Sequence, residues 1–147
     1  GVGSTRDAAL RGRLWRRGKD WGPAGAVDVK PQGVVASSAQ LLPGVFVAAG
    51  ATINPGAEIG ANAIVNTGAV VEHDCRIGDH AHSRPALRLG DVSVGEGAHI
   101  GGRAVVRQGL TVGAHAIVGM GAVVTRSVAE RVTVVGVPAR PVLVRHQ

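Results

Sequence analysis

Every sixth residue from Val35 onward is a branched aliphatic: Val35, Leu41, Val47, Ile53, Ile59, Val65, Val71 and Ile77. A second series keeps the spacing through Val94, Ile100, Val106, Val112, Val118 and Val124. Two places before these positions stand small residues, among them Ala51, Ala57, Ala63, Ala69, Cys75, Ala98, Ala104, Ala116 and Ala122. Glycine often follows directly, as at Gly60, Gly78, Gly95, Gly101, Gly113 and Gly119. An amphipathic helix repeats near 3.6 residues and a strand near two, so a strict period of six demands another geometry. A solenoid supplies it. If each hexad is a short strand followed by a turn, the aliphatic and the small residue two before it share the interior, and glycine permits the corner. Each inward aliphatic stabilises the stack by about 1.5–3 kcal/mol through burial, so neighbouring coils form a continuous core without large rings. Sandwich strands alternate every two residues and do not fit.

Composition agrees with a narrow, repetitive interior. Apolar residues make up 45% of the 147, yet the aromatics are only Trp15, Trp21 and Phe46, and there are 23 glycines. No G-X-Y period runs through the chain, which excludes collagen. The single cysteine, Cys75, allows no intrachain disulfide and fits a cytoplasmic location. No apolar run approaches about 18 residues, so membrane insertion is not expected. The sequence begins at Gly1 without a signal-peptide pattern, consistent with a processed, trimmed or fragmentary start. The net charge of +6 sits at the two ends, around a nearly neutral middle over 34–124. A nucleic-acid binder concentrates basic residues on one structured face, often with aromatics for stacking, and this chain does not. Basic ends around a neutral body suit anionic small molecules.

The repeat of aliphatic, glycine, two variable residues, small residue and variable residue resembles the hexapeptide-repeat acyltransferases. The stretch Asn66-Thr67-Gly68-Ala69-Val70-Val71-Glu72-His73-Asp74-Cys75 narrows the likeness to sugar acyltransferases of the sialic-acid O-acetyltransferase and bacillosamine-pathway N-acetyltransferase type. The closing Gly136-Val137-Pro138-Ala139-Arg140 matches the same group, and the resemblance spans about residues 26–142. It implies an all-β fold, a left-handed parallel β-helix with three hexads per coil, against the usual right-handed crossover preference. Residues 34–124 then make about five coils. Residues 1–33 read as the remnant of an N-terminal nucleotide-sugar-binding βαβ domain. They include a short basic amphipathic helix over 4–19, with Leu10 and Leu14 on one face, and a Gly22-Pro23-Ala24-Gly25 breaker. Residues 125–147 form a C-terminal tail, a short strand or loop packed beside the coils.

Acetyl transfer from a thioester needs a base for the nucleophile's proton and donors for the developing oxyanion. His73 is the best base in the sequence: it lies two places after inward Val71, so it projects from the coil surface, between Glu72 and Asp74. A flanking carboxylate holds the useful tautomer and raises basicity. An isolated histidine in that setting would better suit a solvated ion pair, and the motif around His73 reverses that preference. The resemblance implies that Asp74 orients His73 and that His82 contacts acetyl-CoA near the thioester. It further implies that Gly102 and Met120 meet the cofactor through backbone, that Arg140 meets a CoA phosphate and that Asn66 lies near the acceptor. Plainer roles compete: solenoid corners for Gly102 and Met120, a solvated tail for Arg140, and turns for His82 and Asn66. Cys75 sits at an inward small-residue position and reads as core.

The function so implied is transfer of an acetyl group from acetyl-CoA to an amino or hydroxyl group of a sugar, nucleotide-linked by the same implication, for surface glycans. The resemblance also implies a homotrimer with acetyl-CoA in the groove between solenoids. One alternative is a catalytically impaired structural solenoid. Another is a γ-class carbonic anhydrase-like zinc enzyme. His82 and His99 each fall five places after an inward aliphatic, Ile77 and Val94, and stack on adjacent coils in that reading, but no third histidine partner is evident.

The repeat carries one defect. Ile77 and Val94 are 17 residues apart where three hexads need 18, and Ser83 stands where the first series calls for an aliphatic. A one-residue offset turns inward positions outward, so the coil over 78–93 is expected to lose ideal pairing with its neighbours, by a shortened corner or a bulge.

Overall fold

The computed structural model describes residues 25–83 and 88–143, so the helix expected over 4–19 lies outside the described residues. The described chain is a parallel β-solenoid of about six turns, built from strands mostly two residues long. One sheet stacks Asp28–Val29, Phe46–Val47, Ile64–Val65, His82–Ser83, His99–Ile100, Ile117–Val118 and Thr133–Val135. The second stacks Val34–Val35, Thr52–Ile53, Val70–Val71, Arg88–Leu89, Val105–Val106 and Val123–Val124. The third runs from Gln40–Leu41 through Glu58–Ile59, Arg76–Ile77 and Ser93–Val94 to Thr111–Val112, and Val128 adds a parallel bridge to Val112. Each coil visits the three sheets in turn, like the sides of a prism.

The hexad explains the short strands. Its aliphatic is the second residue of each pair and points inward, and Leu41, Ile53, Ile59, Val65, Val71 and Ile100 are all buried. The alanine two places earlier is buried beside it. A glycine directly after the aliphatic serves close approach: a Cβ on Gly95 would stand 2.5 Å from the backbone N of Ala114, one coil away. Left-handed backbone falls elsewhere. The third residue of the corner adopts it, for example Asp74 at φ 59°, and short polar side chains are among the few that tolerate it.

The solenoid has about six turns where about five were expected, because the stack reaches beyond 34–124 at both ends. Val29 lies one hexad before Val35 and already pairs with Val47. At the other end Val134 pairs with Val118 after a spacing of sixteen residues, which a strict period of six does not detect. The strand Arg140–Val142 then turns back antiparallel on Thr133–Val135 and covers the end of the stack.

The missing residue does not cost the pairing that was expected to suffer. Three strands span the slip, and each pairs with both of its neighbours: His82–Ser83, Arg88–Leu89 and Ser93–Val94. The whole deficit lies between Leu89 and Val94, at the corner Gly90–Asp91. Strand register is held by backbone hydrogen bonds on two sides, whereas a corner can lose a residue and still close. Ser83 does take an inward place between Val65 and Ile100, where its hydroxyl is fully buried without a hydrogen-bond partner.

Candidate active site

The corner between the second and third sheets carries Glu72, His73 and Asp74. His73 follows inward Val71 by two positions and is exposed, as the hexad dictates. Its Nδ1 lies 3.2 Å from Asp74 Oδ2, with 57% and 67% of the two side chains accessible. The left-handed backbone at Asp74 brings its carboxylate back toward the ring of its own neighbour. With Nδ1–H donating to the carboxylate, Nε2 is the basic nitrogen. Glu72 turns the other way: its Oε1 accepts a hydrogen bond from Asn54 Nδ2 at 3.1 Å, one coil below. The eighteen-residue spacing between Asn54 and Glu72 is the signal that could have found this pair, since it equals one coil.

A second group gathers around the first sheet and its corner with the second sheet. His82 is the outward residue of its strand, between Ile64 and His99, and its ring centroid is 5.5 Å from that of His99 at a tilt of 54°. The stacking expected from their spacing is therefore present. Asn66, at the start of this corner, brings Nδ2 to 3.3 Å from His82 Nε2. Gly102 and Met120 occupy the same corner one and two coils above that of His82, joined by the bond from Gly121 N–H to Gly102 O at 2.8 Å. Met120 is 80% exposed although it is a large apolar side chain. Arg140 is exposed at the end of the stack and lines a pocket of about 280 Å³ with Val124, Val134 and Ala139. His82, Gly102 and Met120 thus lie on three successive coils along one side of the stack, and Arg140 lies at its end.

The structure brings Asn66 and His82 together, and His73 and Asp74 together, but places the two pairs at different corners of the prism. The second sheet runs between them. Cys75 is buried as expected, and burial pushes its thiol pKa up, which suits core rather than nucleophile. Among the described residues no group of three His, Cys, Asp or Glu side chains could hold a metal ion, so the His82–His99 pair has no third ligand there. A groove of about 480 Å³ runs along the third sheet past Gln40, Glu58, Arg76 and Thr111 and touches none of the candidate residues. Its lining includes no histidine. No helix among the described residues is long and apolar enough to cross a membrane.

Known proteins share both this fold and its repeat. A family model described as the hexapeptide repeat of succinyl-transferase matches residues 91–126. No curated protein sequence matches the chain. Among solved structures, perosamine N-acetyltransferase from Caulobacter crescentus, in complex with CoA and GDP-perosamine, is 47% identical with a TM-score of 0.79. That match covers 90% of this chain and 65% of the other. The acetyltransferase domain of PglB from Neisseria gonorrhoeae, in complex with acetyl coenzyme A, is 37% identical with a TM-score of 0.78, over 79% of this chain and 57% of the other. The chain therefore spans roughly three-fifths of the length of these structures. With its six-turn parallel solenoid, its hexapeptide repeat and these likenesses, the chain belongs to the hexapeptide-repeat sugar acyltransferases, a left-handed β-helix family.

Proposed function

We propose that the chain transfers an acetyl group from acetyl-CoA to an amino group of a nucleotide-linked sugar. The observation that carries this reading is the exposed His73–Asp74 pair at 3.2 Å. His73 Nε2 takes the proton from the attacking nitrogen as the new N–C bond forms. The thioester C–S bond then breaks, and the departing sulfur takes up a proton. Asp74 holds the imidazole by Nδ1 and stabilises the imidazolium. An amine is favoured over a hydroxyl by the 47% identity with an N-acetyltransferase. On this reading residues 1–33 belong to a nucleotide-sugar-binding region, 34–124 to the acyltransferase solenoid and 125–147 to its tail, in a cytoplasmic enzyme of surface-glycan synthesis.

His82, Gly102, Met120 and Arg140 form the acetyl-CoA side in this proposal. His82, Gly102 and Met120 climb successive coils at about 4.8 Å per step, and Arg140 stands beyond them at the end of the stack, so an extended pantetheine arm lies along this side with its phosphates toward Arg140. Asn66 supports His82 from the acceptor side. His73 stands at another corner of the same chain, so catalysis takes His73 from one copy and the cofactor edge from another. The row Val34, Thr52, Val70, Arg88, Val105 and Val123, apolar at four of its six places, offers a face between the two corners for that contact, with Val34 60% exposed. A closed homotrimer repeats the shared site three times.

His73→Ala is expected to lower acetyl transfer by about 10²–10⁴-fold, the usual range for a positioned acid or base, with the solenoid still folded. Asp74→Asn should cost less. Release of CoA thiol, followed with and without an amino-sugar acceptor, measures both. An unchanged rate in folded His73→Ala protein removes His73 from the mechanism. Sedimentation showing only monomer at micromolar concentration argues against the shared site.

A further inference from the structure

The one-residue deficit falls directly beside the proposed base. Asp91 N–H donates to His73 O at 3.1 Å, just as Asp74 N–H donates to Pro55 O one coil below, so Asp91 takes the place of Asp74 in its coil. One coil further on, Gly109 N–H donates to both Asp91 O and Gly90 O, and Arg107 and Gln108 precede it. Between Leu89 and Asp91, two side-chain places are therefore served by Gly90 alone. The regular coils fill those places with Glu72 and His73 on one side and Arg107 and Gln108 on the other. Adjacent coils lie about 4.8 Å apart, so the rung of His73 and the rung of Gln108 stand about 9–10 Å apart, and at this corner Gly90 puts no side chain between them. An ideal Cβ on Gly90 would stand in ordinary van der Waals contact with Glu72 Cβ at 3.7 Å and Gln108 Cγ at 3.9 Å, which places Gly90 at the floor of a narrow notch walled by those two side chains.

We infer that this notch is a specificity subsite, which takes a hydroxyl-bearing portion of the acceptor sugar ring beside the amine that His73 deprotonates. The inference rests on the proposed acetyl transfer and goes beyond it by naming what sets the acceptor. The jaws are polar and exposed on the Gln108 side. The Gln108 amide can donate and accept, and the Glu72 carboxylate, which already accepts from Asn54, has lone pairs for a further hydroxyl. The gap suits a saturated ring edge. A full-length corner would put one more side chain over His73 and close it.

Gly90→Leu tests this, because Gly90 does not adopt left-handed backbone and a side chain there has room to leave the corner. Acetyl transfer is measured with saturating acetyl-CoA and two acceptors: GDP-perosamine as the nucleotide-linked amino sugar, and methylamine as an amine with no ring to place. The ratio of kcat/KM for GDP-perosamine to that for methylamine is expected to fall at least tenfold in Gly90→Leu, through KM for the sugar. KM for acetyl-CoA should stay within twofold. Gln108→Ala should lower the same ratio less. Thermal midpoints confirm folding, and Gly90→Val stands in if Gly90→Leu fails to fold. An unchanged ratio in a folded, active variant overturns the subsite and leaves acetyl transfer standing. Wild-type protein that acetylates neither acceptor overturns the proposed activity, and the subsite with it.

Discussion

The lower coils and the coil above them solve the same problem with different numbers of residues. From Phe46 to Ile64 to His82 the first sheet advances by eighteen residues per turn, and from His82 to His99 by seventeen, before eighteen returns at Ile117. Every strand pair survives the change, and only the corner at Gly90–Asp91 shortens. Register in this fold is thus held by the sheets, where each strand has partners on both sides, while the corners are free to vary in length and content. The two regions also use glycine for opposite reasons. At Gly95, Gly101 and Gly113 the backbone of the next coil presses against the glycine, and in the short corner Gly90 meets its neighbours only at ordinary van der Waals distance.

The sharpest way to break that contrast is a methyl group at a regular corner. A Cβ on Gly95 would sit 2.5 Å from Ala114 N and 2.7 Å from its Cα, and these are backbone atoms that cannot swing aside. Gly95→Ala must push the paired coils away from each other. It should cost about 1–3 kcal/mol or more, as overpacking does. Chemical denaturation of the two proteins side by side measures it. A midpoint equal to wild type would mean that the coils are far less closely stacked than described.

The next effect has the opposite sign. Ser83 fills an inward place in the short coil between Val65 and Ile100, with its hydroxyl buried and unpartnered. Leaving a buried hydroxyl unpaired costs about 1–3 kcal/mol, so Ser83→Val should recover much of that while continuing the aliphatic row. Thermal melting is the readout, at about 2–4 °C per kcal/mol for a chain of this size. A lower midpoint would mean that the row has closed around the smaller side chain and leaves no room for the two added methyl groups.

What the sequence disclosed and what it withheld follow from the same geometry. The period of six is a direct image of which residues face inward, so Leu41, Ile53, Val65 and the others were legible as core, and His73 as a surface residue two places on. Handedness was not in the spacing and came through the resemblance. The coil count ran short because Val134 returns to the first sheet after sixteen residues, a distance at which counting by six falls silent. The deficit between Ile77 and Val94 was visible, yet its position was not, since any of three corners could have absorbed it. Likewise the separation of His73 from His82 by a whole sheet depends on which side of the prism each occupies. Nine residues in sequence look near, and one corner apart in space puts them on different edges.

The smallest effect tests the short corner on its own terms. Gly90→Ala adds the methyl group that Gly95 cannot accept, at a position where the nearest atoms lie at ordinary van der Waals distance, 3.7 and 3.9 Å. The backbone there is not left-handed, so alanine is not strained. Replacing glycine at a compatible position reduces the freedom of the unfolded chain and stabilises by about 0.4–1 kcal/mol. Gly90→Ala should therefore raise the midpoint slightly where Gly95→Ala lowers it. The sign matters more than the size. If Gly90→Ala destabilises as Gly95→Ala does, the corner above His73 is packed like the others, and the notch does not exist.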